Sequence, residues 1–241
     1  MDNYTTKKLS EDLVIISENC GSYSVSFFLI IGKERALLID SGEGNIDLKK
    51  LVSEYTDLPF DVVHTHSDHD HIGGDRYARE VYMHPSEFEL FNRNHPHLKD
   101  LPIKPVWDKQ LINIGEYDLE VMLTPGHTPG SISLFDRKKG LLFSGDMLSD
   151  IEVYMTKNGR SLLAYKYSVD YKYMPIKDDI KMIFAAHGNC PLEADIIDEA
   201  YKLINAVLDK NIEPISGPDS EKLPEGSLGY RINRTKIIVA K

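Results

Sequence analysis

The sequence predicts an α+β chain: two mixed β-sheets packed together with helices outside. Three observations carry that expectation. Short apolar strands recur along the whole chain, several of them joined in hairpins by tight turns. Segments of helical period are interspersed among the strands rather than gathered at one end. No linker, repeat or low-complexity tract interrupts the pattern, so one domain over residues 1–241 is expected.

Asp12 to Glu18, Val25 to Gly32 and Arg35 to Asp40 read as strands, the last two turning at Gly32-Lys33. Asn45 to Tyr55 has Ile46, Leu48, Leu51 and Val52 at helical spacing, with Asn45 as N-cap. Phe60 to Val63 is a short buried strand, followed by a short helix over Asp75 to Arg79 and a strand over Glu80 to Met83. Ser86 to Asn92 reads as a helix capped by Ser86. Asn94 to Trp107 is rich in Pro and His and reads as a loop, with His95 and His97 in solvent.

Lys109 to Ile114 and Tyr117 to Leu123 form a hairpin around Gly115-Glu116. Ser131 to Asp136 and Gly140 to Ser144 form a second, through Arg137-Lys138-Lys139. Ser161 to Tyr173 reads as helical, Lys181 to Ala185 as a strand, and Glu193 to Leu208 as an amphipathic helix. Gly217 to Gly229 is a polar loop and Tyr230 to Ala240 a final strand.

Composition narrows the function. With 41% hydrophobic residues in 241, the chain can bury a core. A formal charge of −10 argues against electrostatic binding of nucleic acid or of an anionic membrane surface. The most apolar run, Phe27 to Ile31, is far too short to span a bilayer, and Met1 to Ser10 is polar. Cys20 and Cys190 read as two reduced thiols. A cytoplasmic protein acting on a small molecule is expected, with a homodimer as an open oligomeric state.

The chemistry is concentrated in one stretch. Residues 64 to 71 hold four His and two Asp, preceded by Val62-Val63 and followed by Ile72-Gly73-Gly74. Imidazoles and carboxylates at alternating positions are what a metal site needs. Three further apolar strands also run into residues of ligand type. They lead to Thr124-Pro125-Gly126-His127-Thr128-Pro129-Gly130-Ser131, to Ser144-Gly145-Asp146 and to Ala185-Ala186-His187-Gly188. Strand ends hold side chains rigidly, and a neighbouring Gly lets the backbone turn tightly.

These residues resemble the metallo-β-lactamase-fold hydrolase superfamily, and within it the glyoxalase II-like branch. The family pattern is His-x-His-x-Asp-His with Gly-Gly, then Gly-His-Thr-Pro-Gly-Ser, then Gly-Asp, then His-Gly, and all four pieces occur here in that order. Asp40 in Leu38-Ile39-Asp40-Ser41-Gly42 resembles the family's buried Asp beneath the metal site. The resemblance implies a four-layer αββα sandwich with metals at one edge.

The first motif fits in two registers. One uses His64, His66, Asp68 and His69 and leaves two residues before Ile72. The other uses His66, Asp68, Asp70 and His71 and keeps the Gly-Gly spacing, with Asp68 where a His is usual. The second is preferred, because the glycine spacing is a backbone constraint while His-to-Asp is a ligand exchange.

In that register the resemblance implies that His66, Asp68 and His127 bind one divalent ion. Asp70, His71 and His187 bind a second, and Asp146 bridges both. Zinc is the expected metal, with iron or manganese as alternatives that the extra carboxylate favours. The implied activity is a dinuclear metallohydrolase whose metal-bound hydroxide attacks a small ester, thioester or lactone, with Asp70 also orienting that group or moving its proton. A di-iron redox protein of the same fold and a non-catalytic metal-binding scaffold are the alternatives.

Tyr154, Tyr165, Tyr167, Tyr171 and Tyr173 cluster between Asp146 and His187. Ordinary packing of amphipathic rings explains them equally well, but a substrate wall with Tyr165 and Tyr171 in contact is the functional expectation. Trp107 is a candidate for an opposite wall, and His84 for a surface position or a place behind the ligands.

Overall fold

The structure is a computed structural model that describes residues 3–94, 96 and 101–241. The expectation for His95 and His97 falls outside those residues. The chain divides into two compact units, residues 1–122 with 134–139, and residues 123–133 with 140–241.

In the first unit, β1 (Tyr4–Lys8), β2 (Leu13–Asn19), β3 (Ser24–Ile31) and β4 (Ala36–Ile39) run antiparallel. Then α1 (Leu48–Ser53) crosses to β5 (Phe60–Val63), and α2 (His69–Ile72) with a 3₁₀ turn at Asp75–Tyr77 crosses to β6 (Val81–Met83). A 3₁₀ turn at Pro85–Glu87 and α3 (Phe88–Asn94) lead to β7 (Ile103–Pro105). Strands β4 to β7 pair in parallel, and the seven strands lie in chain order in one sheet. Parallel neighbours need crossovers, which is why the helices begin here. The core packs Val14, Ile16, Phe27, Leu29 and Leu38 of the sheet with Leu48 and Leu51 of α1, Ile72 of α2 and Phe91 of α3. The hairpin of β8 (Leu111–Ile114) and β9 (Tyr117–Leu123) is as expected. The division between units falls within β10 (Ile132–Asp136).

In the second unit, β11 (Leu141–Gly145) gives way to β12 (Val153–Met155), then to α4 (Leu162–Ser168) and a π turn over Val169–Tyr173. Next come β13 (Met182–Ala185), which pairs in parallel with β11, and α5 (Ile196–Leu208). The hairpin of β14 (Ser227–Ile232) and β15 (Thr235–Ala240) forms a sheet in which β12 pairs in parallel with β15. Ile196, Ile197, Ala200, Leu203 and Ile204 make the buried face of α5. Each large side chain there contributes roughly 1.5–3 kcal/mol by leaving water.

The α+β class and most strands agree with the sequence reading. Several local expectations are corrected. Helix α1 starts at Leu48, with Asp47 accepting from the Lys50 amide, because the Asn45 amide is tied to buried Glu18 at 3.0 Å. His84, not Ser86, caps the turn before α3: its Nδ1 accepts from the Ser86 amide at 3.3 Å, and the ring is buried. The stretch read as a loop before Trp107 contains β7, which the parallel edge of the sheet recruits. Tyr230 to Ala240 is two strands, not one, since Asn233 takes a left-handed φ of 50° and turns the chain. Strands β1 and β12 were not foreseen; both are edge-type pieces whose pairing comes from distant partners.

Candidate metal centre

The first unit carries the His-Asp stretch at the carboxyl ends of parallel strands. Asp40 follows β4 and adopts a left-handed φ of 63°. His64 follows β5, and the chain runs without helix or strand to Asp68, whose own backbone is extended, before α2 begins. Asp40 is fully buried and receives Thr65 twice, from the amide at 2.7 Å and the hydroxyl at 2.8 Å. It also lies 2.9 Å from His71 Nδ1. Burial alone would raise the Asp40 carboxyl, but the imidazoles of His71 and His64 hold it well below the ordinary carboxylate range.

Those bonds set the ring tautomers. His71 Nδ1–H donates to Asp40, so Nε2 keeps the lone pair. The Thr65 hydroxyl gives its proton to Asp40, so at 3.1 Å it accepts from His66 Nδ1, and again Nε2 keeps the lone pair. His66 Nε2 lies 4.0 Å from Asp68 Oδ2, and His71 Nε2 lies 3.8 Å from Asp70 Oδ1. The Asp68 carboxylate does not cap α2, although Asp68 is the N-cap residue.

The two other imidazoles of the stretch behave differently. His64 is buried, with Nε2 2.9 Å from Asp75 and Nδ1 3.6 Å from Asp40. Burial would lower its pKa, but Asp75 and Asp40 raise it above the ordinary value. The His69 side chain is 57% exposed and faces Glu43 at 3.6 Å.

The second unit carries the remaining donors. Gly126 precedes His127 because α4 packs on this loop: a Cβ there would sit 2.6 Å from the Tyr165 Cα. The Ser161 amide donates to the Gly126 carbonyl at 2.9 Å, and the Ser131 hydroxyl closes the turn onto Thr128. Asp146 follows Gly145 at the end of β11. Its Oδ2 lies 3.4 Å from His127 Nε2 and its Oδ1 3.5 Å from His187 Nε2. One carboxylate thus presents each oxygen to a different imidazole. Asp150 fixes the loop after His187 by accepting from the Asn189 amide and side chain.

Arg160 was not anticipated. Its guanidinium donates to His127 Nδ1 at 2.9 Å and to the Tyr154 carbonyl. Arginine has no acceptor, so His127 Nδ1 is the accepting nitrogen here. Ligation through Nε2 requires the proton on Nδ1, so binding an ion there means releasing Arg160.

The tyrosine expectations divide. Tyr165 is fully buried in the core of its unit and donates to the Met147 carbonyl at 2.9 Å. Tyr171 is 67% exposed, with its ring 5.2 Å from that of Tyr167. Trp107 is exposed and meets His84 edge-on. Asp75, Glu87 and Arg160 join the network without having been singled out. Asp75 had a faint signal, an acid directly after Gly73-Gly74; Glu87 and Arg160 had none.

The donor chemistry fits divalent cations. The first unit offers His66, Asp68, Asp70 and His71 and the second His127, Asp146 and His187, residue types that can hold a metal ion. Nitrogen and carboxylate oxygen together suit zinc, iron or manganese. No helix among the described residues is long and apolar enough to cross a membrane.

Comparison with known proteins agrees. The chain is 26% identical over 198 residues to the probable metallo-hydrolase YqgX of Bacillus subtilis, covering 74% of this chain and 90% of that one. It is 30% identical over 160 residues to the acyl-coenzyme A thioesterase MBLAC2 of Gallus gallus, covering 52% of this chain and 58% of that protein. It is also 30% identical over 117 residues to a hydroxyacylglutathione hydrolase of Bdellovibrio bacteriovorus, covering 48% and 44%. Among solved structures, a metallo-beta-lactamase from Pontibacter korlensis superposes with a TM-score of 0.70 at 19% identity, over 84% of this chain and 99% of that one. That likeness shows the fold. A family model described as the metallo-beta-lactamase superfamily matches residues 21–187, well over half the sequence, and with the motifs and fold above it establishes that the chain belongs to that superfamily.

Proposed function

We propose that the protein is a dinuclear metal-dependent hydrolase acting on a small ester, thioester or lactone. The observation that carries this reading is the Asp146 carboxylate, with one oxygen toward His127 and the other toward His187. That is the disposition a bridging ligand needs. His66, Asp68 and His127 would hold one ion, and Asp70, His71 and His187 the other. The Nε2 lone pairs of His66 and His71, set by Thr65 and Asp40, support this register, as does the commitment of His64 to two carboxylates.

When bound, the ions supply Lewis acidity and lower the pKa of water. The chain's residues do the rest. Asp40 anchors both Thr65 and His71 and so keeps the two imidazoles oriented. Asp70 would orient the attacking water or carry its proton. Tyr171 offers an exposed phenol for substrate contact. The thioesterase relatives favour a thioester as the first substrate class to try.

The test is a metal count with the element identified, followed by a panel of small esters, thioesters and lactones. Two ions and turnover are expected, with His127→Ala and Asp146→Asn losing both together. Full activity in either variant would sink this reading. Iron with electron transfer would favour the di-iron redox alternative, and a protein that binds no metal the scaffold.

A further inference from the structure

The loop between two of the proposed ligands is tethered by a buried acid outside the ligand set. Ser67 stands between His66 and Asp68 and is fully buried. Its amide donates to Glu87 Oε2 at 3.0 Å, and its hydroxyl donates to the same oxygen at 2.6 Å. Glu87 is itself only 1% exposed. It closes the 3₁₀ turn Pro85–Glu87, its amide bonded to the His84 carbonyl at 2.9 Å and the turn capped by His84. A carboxylate kept this deep is costly unless hydrogen bonds compensate it.

The geometry gives that acid a specific effect. Ser67 turns onto Glu87, while the flanking His66 and Asp68 side chains approach each other. The amide bond holds the peptide unit between His66 and Ser67, and the hydroxyl bond holds the Ser67 side chain. On either side of that anchor, His66 Nε2 lies 4.0 Å from Asp68 Oδ2.

We infer that Glu87 is a positioning residue: by anchoring Ser67 it pre-sets the His66 and Asp68 pair for an ion, without touching that ion. This rests on the proposed reading of His66 and Asp68 as ligands. The anchor acts on one ion selectively, since Asp70 and His71 are fixed separately through α2 and Asp40.

The experiment titrates full-length apoprotein with zinc against a chromophoric chelator and resolves the two binding steps. The same titration with cobalt records the visible spectrum of each step. Glu87→Ala should weaken one step by about 10–100-fold and leave the other unchanged. Glu87→Gln retains an accepting oxygen for Ser67 and should bind within about threefold of wild type, which a purely electrostatic role for the acid would not allow. Ser67→Ala removes only the hydroxyl contact and should fall between the two; it carries the test if Glu87→Ala does not fold. Two wild-type binding steps in Glu87→Ala, or in Ser67→Ala where the former is unfolded, would overturn the inference alone. Equal weakening of both steps would overturn it in favour of a general structural role. A wild type that binds no zinc would overturn the hydrolase reading and this inference with it.

Discussion

His64 Nε2 lies 2.9 Å from Asp75 Oδ2 with both side chains fully buried. Ser41 joins the pair by donating its hydroxyl to Asp75 at 2.8 Å. Removing one partner of a buried pair leaves the other charge uncompensated. His64→Ala should therefore destabilise the apoprotein by about 3–5 kcal/mol in urea titrations. It should still bind two ions. Loss of one ion with stability unchanged would instead make His64 a ligand and restore the alternative register.

Gly73 makes a second prediction from the same stretch. A Cβ at Gly73 would lie 2.2 Å from the carbonyl carbon and oxygen of Glu43, and its amide donates to Gly42 at 2.8 Å. Both obstructions are backbone, so no rotamer change relieves them. Gly73→Ala should cost about 1–3 kcal/mol or more through overpacking, read from thermal or urea unfolding. Wild-type stability in this variant would show that the Gly-Gly spacing is not the backbone constraint that selects the register.

Much of this was legible in the sequence because it is local. Strands β2 to β6 announce themselves by apolar runs bounded by turns, and the candidate ligands by standing at strand ends beside Gly. What was hidden depends on partners far apart in the chain. Glu87 meets Ser67 across 20 residues, and Arg160 meets His127 across 33. No periodicity encodes such a meeting. Tyr165 and Tyr171 show the same limit within one segment: both lie between two ligand motifs, yet only packing decides that one ring is core and the other surface. Helix caps failed for a related reason, since Asn45 and Ser86 were each outcompeted by a neighbour that only the folded chain places correctly.

Arg160 sets a third prediction. As a pure donor to His127 Nδ1 it holds the ring in the tautomer opposite to the one a ligand through Nε2 needs. Glutamine at this position can accept the Nδ1 proton. Arg160→Gln should therefore bind zinc at least as tightly as wild type in chelator competition. A variant that drops an ion would show that the guanidinium holds His127 in place.

The acid limb of stability follows from Glu152. Burial would raise its carboxyl, but the partners Lys236 and Tyr154, the latter at 2.7 Å, hold it below the ordinary value of 4.5. A lowered folded pKa means that the pair's stabilisation is fully present above the unfolded value and is lost as pH falls through the folded one. Urea midpoints of wild type and Glu152→Gln should differ at pH 7 and converge as pH drops below about 4. A gap that stays constant down to pH 3 would contradict the shift.

The tyrosines allow a test that separates core from surface. Tyr165 is inaccessible, and its hydroxyl satisfies the Met147 carbonyl. Tyr165→Phe keeps the ring and strands that carbonyl, so it should lose about 1–3 kcal/mol of stability. Turnover per folded molecule should not change. Tyr171 is 67% exposed, so its truncation to alanine should alter stability by no more than about 0.5 kcal/mol. If its phenol contacts substrate, Tyr171→Ala should raise KM with kcat nearly unchanged, the signature of lost uniform binding. A Tyr165→Phe protein as stable as wild type but slower in turnover would reverse the assignment and return Tyr165 to the substrate wall.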